Sequence, residues 1–186
     1  RFDAARLGLE GIRNTGAMAH ALLDAGAPVE GDPGDRETPL ITAASYGDAE
    51  VAQALIDGGA DIEAISAEDS GGVPGGTALL HAAVFGMTDV VDVLVAAGAE
   101  VRGIVEAAAV GDVTGFLTPD TPPDARVCAL TMAAGHDRIG VIDALLAAGT
   151  PVDAVDAWGS TALQAATENS RSASIAALVA AGAASS

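Results

Sequence analysis

The chain has 186 residues, half of them hydrophobic, and its 26 acidic residues outnumber 8 basic ones, which gives a formal net charge of −18. This charge excludes a phosphate-binding surface, because nucleic-acid affinity requires a basic stripe that displaces counterions. The same negative field disfavours anionic membranes and favours basic partners or cationic ligands. We therefore expect neither a nucleic acid nor a membrane among the partners.

The length favours one compact domain over residues 1–186. Cys128 is the only cysteine, which excludes an intrachain disulfide and a thiolate metal cluster and suits a reducing compartment. No apolar run approaches the roughly 20 residues that cross a bilayer, and residues 1–5 lack the charged and apolar regions of a signal peptide. We expect a cytoplasmic protein. Abundant Ala, Gly, Asp and Arg without any Lys is typical of a GC-rich, bacterial genome.

Two phrases recur along the chain. The first, an aliphatic pair followed by Ala or Gly, then Gly and Ala or Thr, occurs at residues 22–29, 55–62, 94–101, 145–152 and 178–183. Gly26 and Gly59 are 33 residues apart, as are Gly149 and Gly182. The second phrase begins with Thr, continues through Leu and ends in paired Ala, and it occurs at residues 38–44, 77–83 and 161–166.

Each phrase has a local physical meaning. Its Thr caps the start of a helix, and Pro39 suits the first helical turn, where a missing N–H costs nothing. The paired alanines let a neighbouring helix approach closely. A Gly at the end of the second helix supplies a left-handed turn. One unit is therefore helix, tight turn, helix and extended link, and such units stack to bury their apolar faces.

The phrases and their period resemble the ankyrin repeat, which has a T-P-L-H-x-A motif and 33 residues per unit. The resemblance covers nearly the whole chain and implies an all-α solenoid of about six helix-turn-helix units, two of them degenerate, with short hairpin-like links. The predicted repeats are residues 1–31, 32–64, 65–102, 103–121, 122–155 and 156–186. The resemblance also implies a protein-protein interaction module.

The departures from the pattern follow in chain order. Residues 3–8 with residues 18–27 form an irregular first copy. About six extra residues within 66–74 lengthen one link, and their composition predicts an exposed, mobile loop. Residues 104–112 predict a first helix and turn, but prolines within 118–123 cut the second helix short. A helix over residues 124–134 resumes the pattern.

Ankyrin proteins, by resemblance, bind partners with the concave surface of their first helices and with the tips of their links. Residues four apart share a helix face, which selects two rows of positions on the first helices. We predict partner contacts at Asp35, Glu37, Thr42, Tyr46, Val84, Phe85, Val110, His136, Trp158 and Asn169. Tyr46 and Phe85 are either recognition anchors or partly buried beneath the long link.

His81 and Glu106 occupy the same row in adjacent predicted repeats, whose helices pack roughly 8–10 Å apart. An imidazole beside a carboxylate can act as a general base, and Tyr46 and Asp3 complete the polar cluster predicted there. The competing interpretation is structural. His81 is then the motif histidine shifted by one position, because Leu80 occupies its place, and it bonds a neighbouring backbone carbonyl.

The leading hypothesis is a non-enzymatic module that binds a basic or amphipathic polypeptide in an acidic concave groove. The alternative is a small-molecule or catalytic pocket under the 66–75 loop, in which His81 and Glu106 carry acid-base chemistry. A third hypothesis is a structural scaffold whose C-terminal repeat pairs with another copy. No cofactor and no metal site are predicted. Cys128 is expected in the core, and His20 and His136 at the surface.

Overall fold

The computed structural model describes residues 15–184, and these form ten helices and no strand. The helices are α1 (Thr15–Asp24), α2 (Pro39–Tyr46), α3 (Ala49–Asp57), α4 (Ala78–Val84), α5 (Thr88–Ala96), α6 (Ile104–Val110), α7 (Pro123–Gly135), α8 (Ile139–Ala147), α9 (Ala162–Glu168) and α10 (Ser172–Ala180). None of these helices is long and apolar enough to cross a membrane. The succession of short helix pairs confirms the predicted all-α repeat fold.

The chain divides into two compact units, residues 1–100 and 101–186. In the first unit α2 packs against α4, while α3 packs against α1 and α5. Ala44 and Ala82 are fully buried, as are Leu40 and Ile41, so small residues lie in the same core as large ones. The assignment of the whole chain to one domain stays a prediction.

The recurring spacing of Thr and Gly in the sequence has a direct structural basis. The hydroxyl oxygens of Thr38, Thr77 and Thr161 accept hydrogen bonds from the backbone N–H three residues later, at 3.3, 3.3 and 3.2 Å. Gly47 ends α2 with φ 75°, and a Cβ there would lie 2.6 Å from the sulfur of Met87. Glycine is therefore favoured at this turn by the left-handed backbone conformation, and any larger residue would also displace the Met87 side chain of the next repeat.

In the second unit, α7 packs against both α6 and α9, and α8 packs against α10. The core contains Leu130, Ile142, Leu145 and Leu178, each at most 1% exposed. No helix follows α6 before Pro123, and residues 111–122 form turns and irregular chain. The predicted loss of the second helix from this repeat is confirmed, because prolines in this stretch cannot continue a helix.

Some of the acidic residues are structural. The carboxylates of Glu30 and Glu63 accept hydrogen bonds from the backbone N–H groups of Asp61 and Glu100, at 2.7 and 2.8 Å. In the second unit the Asp153 carboxylate accepts the N–H of Ala184 at 2.9 Å. The first two bonds join one link to the next link, and the third joins a link to the residues that follow α10. Part of the negative charge therefore holds neighbouring repeats together.

Candidate functional site

The candidate site lies in the first unit, where the ends of α2 and α4 meet the lengthened link. Tyr46 is the last residue of α2, and Phe85 directly follows α4. Between these helices in sequence lies the 66–75 loop, whose Ser66 and Ser70 are buried while Glu68 and Asp69 are exposed. The prediction of an exposed loop therefore holds for its tip and is wrong for Ser66 and Ser70. The chain folds back on itself there, because the Ser66 N–H bonds the Gly76 carbonyl and the Ser70 N–H bonds the Ala67 carbonyl.

His81 is fully buried beneath this loop. Its Nε2 lies 3.0 Å from the carbonyl oxygen of Val73, and its Nδ1 lies 2.9 Å from the hydroxyl oxygen of Ser45 on α2. A carbonyl only accepts hydrogen bonds, which places a hydrogen on Nε2. The Ser45 hydroxyl also lies 3.0 Å from the carbonyl oxygen of Ile41. In the neutral ring Nδ1 carries no hydrogen, so the hydroxyl can donate to Nδ1 or to this carbonyl but cannot accept from the ring.

The environment of His81 favours the neutral imidazole. Burial lowers its pKa below the ordinary value of 6.5, and this effect exceeds the opposing effects of the hydrogen bond to Val73 and the charge of Glu37. The hydroxyl of Ser66 also bonds the Val73 carbonyl, at 2.7 Å. His81 is thus a buried structural group that holds the loop.

The other side of the loop is tied to the preceding link. The Arg36 guanidinium bonds the carbonyl of Asp69 at 3.1 Å and pairs with its carboxylate at 3.0 Å. The Arg36 carbonyl accepts the N–H of Ala67 at 2.7 Å. A Cβ at Gly72 would lie 3.0 Å from the His81 ring, so glycine lets the loop backbone approach the imidazole. The loop is anchored at both Arg36 and His81.

These contacts form a hollow of about 380 Å³, here called the loop hollow, lined by Glu37, Ser45, Tyr46, Gly71, Gly72 and Phe85. Tyr46 is 82% exposed and Phe85 is 39% exposed. The Phe85 ring is tilted against the His81 ring, with centroids 6.2 Å apart. Partial burial of Tyr46 beneath the long link, one of the two sequence-based interpretations, is wrong.

A second hollow, of about 440 Å³, adjoins α2 and shares Glu37 and Tyr46 with the loop hollow. Its lining includes the predicted contacts Asp35 and Thr42, both of which are exposed. Val84, the other predicted contact in this unit, is half-buried. Five predicted contacts therefore line the two adjoining hollows, namely Asp35, Glu37, Thr42, Tyr46 and Phe85.

A family model described as "Ankyrin repeats (3 copies)" matches residues 9–103, just over half of the chain. The chain belongs to the ankyrin-repeat family. No curated protein matches the chain in a comparison of sequences. Ankyrin repeats are generally protein-protein interaction modules, which agrees with the coarse functional prediction.

The four contacts predicted in the second unit differ in exposure. Trp158 is 56% exposed on its link, whereas Val110 and Asn169 are half-buried. Asn169 also uses its side-chain amide to bond the Ala165 carbonyl of its own helix, at 3.0 Å. The surface position predicted for His136 is wrong. This residue directly follows α7 and is 2% exposed, and α7 itself packs against both α6 and α9.

The remaining histidine and the cysteine agree with their predictions. His20 is exposed, with its Nε2 3.9 Å from the Asp57 carboxylate. Cys128 is buried in α7. A further hollow of about 400 Å³ in the second unit contains none of the predicted residues and is lined by Thr161, Leu163, Gln164, Thr167, Glu168, Ile175 and Val179.

His81 and Glu106, the predicted acid-base pair, each form hydrogen bonds with other groups. The Glu106 carboxylate is buried and accepts the backbone N–H groups of Arg102 and Gly103, at 2.6 and 2.9 Å. It therefore caps α6 within the second unit, while His81 bonds Ser45 and Val73 within the first. Asp3, the other carboxylate assigned to this cluster, lies outside the described residues.

Sequence reasoning missed the residues that hold the loop, chiefly Arg36, Ser45 and Val73. Two irregularities in one ankyrin repeat were the available signal. The histidine is displaced by one position to His81, and the same repeat carries the extra loop residues. Together they indicate that the displaced imidazole of His81 holds the inserted loop residues in place.

Proposed function

We propose that this ankyrin-repeat protein binds a basic polypeptide partner, with the surface around Tyr46 and Phe85 as its principal contact. The observation that carries the proposal is the exposure of Tyr46, 82%, beside a formed hollow. A large aromatic ring gains much by leaving water, so its exposure is typical of an interaction surface. Trp158, also exposed, is proposed as a contact of the second unit.

Charge supports the proposed character of the partner. Asp35, Glu37 and Asp48 line the hollow beside Tyr46, and among residues 15–184 no arginine lines either hollow. The net charge of −18 adds a long-range field that accelerates encounter with a basic chain. A cytoplasmic location, for which the single cysteine of the sequence argues, belongs to the same proposal.

The test compares retention of polypeptides on the immobilised wild type and on the Tyr46→Ala/Phe85→Ala double variant. Val179→Ala is the matched control, because it also removes exposed apolar surface but lies on α10. We expect a polypeptide that binds the wild type and the control with equal affinity and binds the double variant at least about fivefold more weakly. Equal affinity for all three proteins would contradict the proposal.

The second candidate function is binding of a small molecule in the loop hollow. Its volume, about 380 Å³, lies within the range of small-ligand sites, roughly 300–1,000 Å³. Native mass spectrometry of the gently purified protein distinguishes the candidates. A bound species of a few hundred daltons, lost in the Phe85→Ala variant, favours the small molecule. Acid-base catalysis by His81 is not proposed, because the ring is fully buried and both nitrogens have partners.

A further inference from the structure

We infer that the loop hollow receives a cationic side chain, an arginine or lysine of the partner, against Tyr46, Phe85 and the carboxylate of Glu37. The inference depends on the proposed function, because it names the side chain by which a polypeptide partner is recognised. It adds a specific ligand group and a specific counter-ion to the general preference for a basic partner.

Glu37 is the charged residue among the six that line the loop hollow. Its side chain is half-buried, and within residues 15–184 it makes no hydrogen bond or ion pair. Other carboxylates of this unit are engaged, such as Asp69 with Arg36 and Glu63 with Glu100. A half-buried carboxylate that has lost part of its water gains most from an arriving cation.

The aromatic residues supply the second attraction. The face of an aromatic ring carries negative charge density and attracts a guanidinium or ammonium group within about 6 Å. Tyr46 and Phe85 line the loop hollow together with Glu37, so a cation placed there can meet both a ring and a carboxylate. Gly71 and Gly72 line the same hollow, and the Gly72 backbone lies close to Glu37.

The residue beneath the hollow does not oppose a cation. His81 has a pKa below its ordinary value because it is buried, so the imidazole carries little positive charge at neutral pH. An anionic ligand would instead meet the Glu37 charge, with no compensating arginine among the lining residues that the structure describes. The chemistry of the hollow therefore selects cations over phosphates and carboxylates.

The second unit contains a natural comparison. Its hollow of about 400 Å³ also contains one carboxylate, Glu168, but the apolar lining residues are Leu163, Ile175 and Val179, which are aliphatic. If a negative charge in a recess were sufficient, both hollows would bind a cation equally. The inference predicts a preference for the loop hollow over the Glu168 hollow, because the lining of the loop hollow combines its carboxylate with the aromatic rings of Tyr46 and Phe85.

The test is an NMR titration of the isotope-labelled full chain with the peptide Ac-Gly-Gly-Arg-Gly-Gly-NH₂. The matched probe replaces arginine by citrulline, which has nearly the same shape and no charge. We expect saturable shift changes centred on Gly71, Gly72 and Phe85, and about tenfold weaker binding of the citrulline peptide.

Four variants locate the interaction. Glu37→Gln and Tyr46→Ala are expected to weaken arginine-peptide binding at least about fivefold, whereas Tyr46→Phe, which retains the ring, stays within about twofold of the wild type. Glu168→Gln removes the same charge from the aliphatic hollow and is expected to leave binding unchanged. Circular dichroism checks that each variant is folded.

Equal binding of the arginine and citrulline peptides would overturn the inference, as would shift changes centred on Glu168 or the absence of saturable binding. Failure of the inference and failure of the proposed function are distinguishable. A polypeptide whose retention depends on Tyr46 and Phe85, combined with no arginine-peptide binding, overturns only the cationic side chain. Arginine-peptide binding with no retained polypeptide overturns the proposed function and leaves the loop hollow as a cation site.

Discussion

The Nε2 of His81 lies 3.0 Å from the carbonyl oxygen of Val73, and this contact fastens the 66–75 loop to helix α4. Because Nδ1 of the same ring contacts Ser45 on α2, one imidazole joins the loop to two consecutive first helices. The loop hollow exists because of this arrangement. His81 therefore shapes the proposed binding surface without being exposed on it.

The stability of the protein should depend on pH through His81. Its folded-state pKa is lowered by burial, so the unfolded chain binds the proton more readily. The contribution of the neutral imidazole is fully present above about pH 6.5 and decreases as pH falls toward the lower folded-state pKa. Glu37, Ser45, Ser66 and Val73 are the charged and polar groups around the ring.

Urea unfolding at pH 7.5 and pH 5 measures this effect. The loss of stability between the two pH values should be smaller in His81→Gln than in the wild type, and His81→Gln should be about 2 kcal/mol less stable at pH 7.5, because buried polar partners lose their bonds. His20→Gln, a change at an exposed histidine, is the control. An identical pH dependence in the wild type and in His81→Gln would contradict the assignment.

The loop backbone should tolerate a methyl group at Gly71 but not at Gly72. A Cβ at Gly72 would lie 3.0 Å from His81 and 3.3 Å from Glu37, whereas nothing lies within 4 Å of a Cβ at Gly71. We expect Gly72→Ala to lower the free energy of unfolding by about 1 kcal/mol and Gly71→Ala to leave it equal or slightly higher. Equal effects of the two changes would mean that the loop does not rest on the imidazole.

Ser170 should be replaceable by glycine with a gain in stability. It has φ 57°, a left-handed conformation that costs an L-residue about 1 kcal/mol or more. Asp137 has nearly the same φ, 60°, but its carboxylate accepts both the N–H and the hydroxyl of Ser174, each at 2.8 Å. We expect Ser170→Gly to raise the free energy of unfolding by about 0.5–1 kcal/mol.

Asp137→Gly is the matched comparison, and we expect it to lower the free energy of unfolding by about 1 kcal/mol, because the lost hydrogen bonds outweigh the relief of strain. Thermal or urea unfolding of both variants is the measurement. If both glycine variants gained stability equally, the Asp137 contacts would contribute nothing.

Glu106 should contribute to the free energy of unfolding and not to ligand binding. Its carboxylate caps α6 through two backbone N–H groups while buried, so Glu106→Ala leaves these donors without their acceptor. We expect a loss of about 2 kcal/mol in the free energy of unfolding, and a smaller loss in Glu106→Gln, which retains an acceptor oxygen. Affinity of the folded variants for an arginine peptide should not change. Reduced arginine affinity with unchanged stability would restore a functional role for Glu106.

Much of the fold can be predicted from the sequence alone, because the features that mark an ankyrin repeat are local. Thr38 caps its helix through an atom three residues away, and Gly47 permits a left-handed turn wherever it occurs. Prolines near residue 120 prevent a helix without any help from distant groups. The repeat fold, the shortened central repeat and the aromatic candidates Tyr46 and Phe85 follow from such local rules.

The roles of His81, Glu106 and His136 were decided by tertiary structure. Helical periodicity predicts which residues share a face, but a side chain of that face is exposed only where nothing packs against it. The 66–75 loop covers His81, His136 is buried directly after α7, and Glu106 accepts the N–H groups of the two residues that precede its own helix. Each outcome depends on a contact that a single repeat pattern does not encode. The fold could therefore be predicted from local sequence patterns. The site could be predicted only in part, because the roles of its residues depend on burial and on hydrogen bonds to particular neighbours.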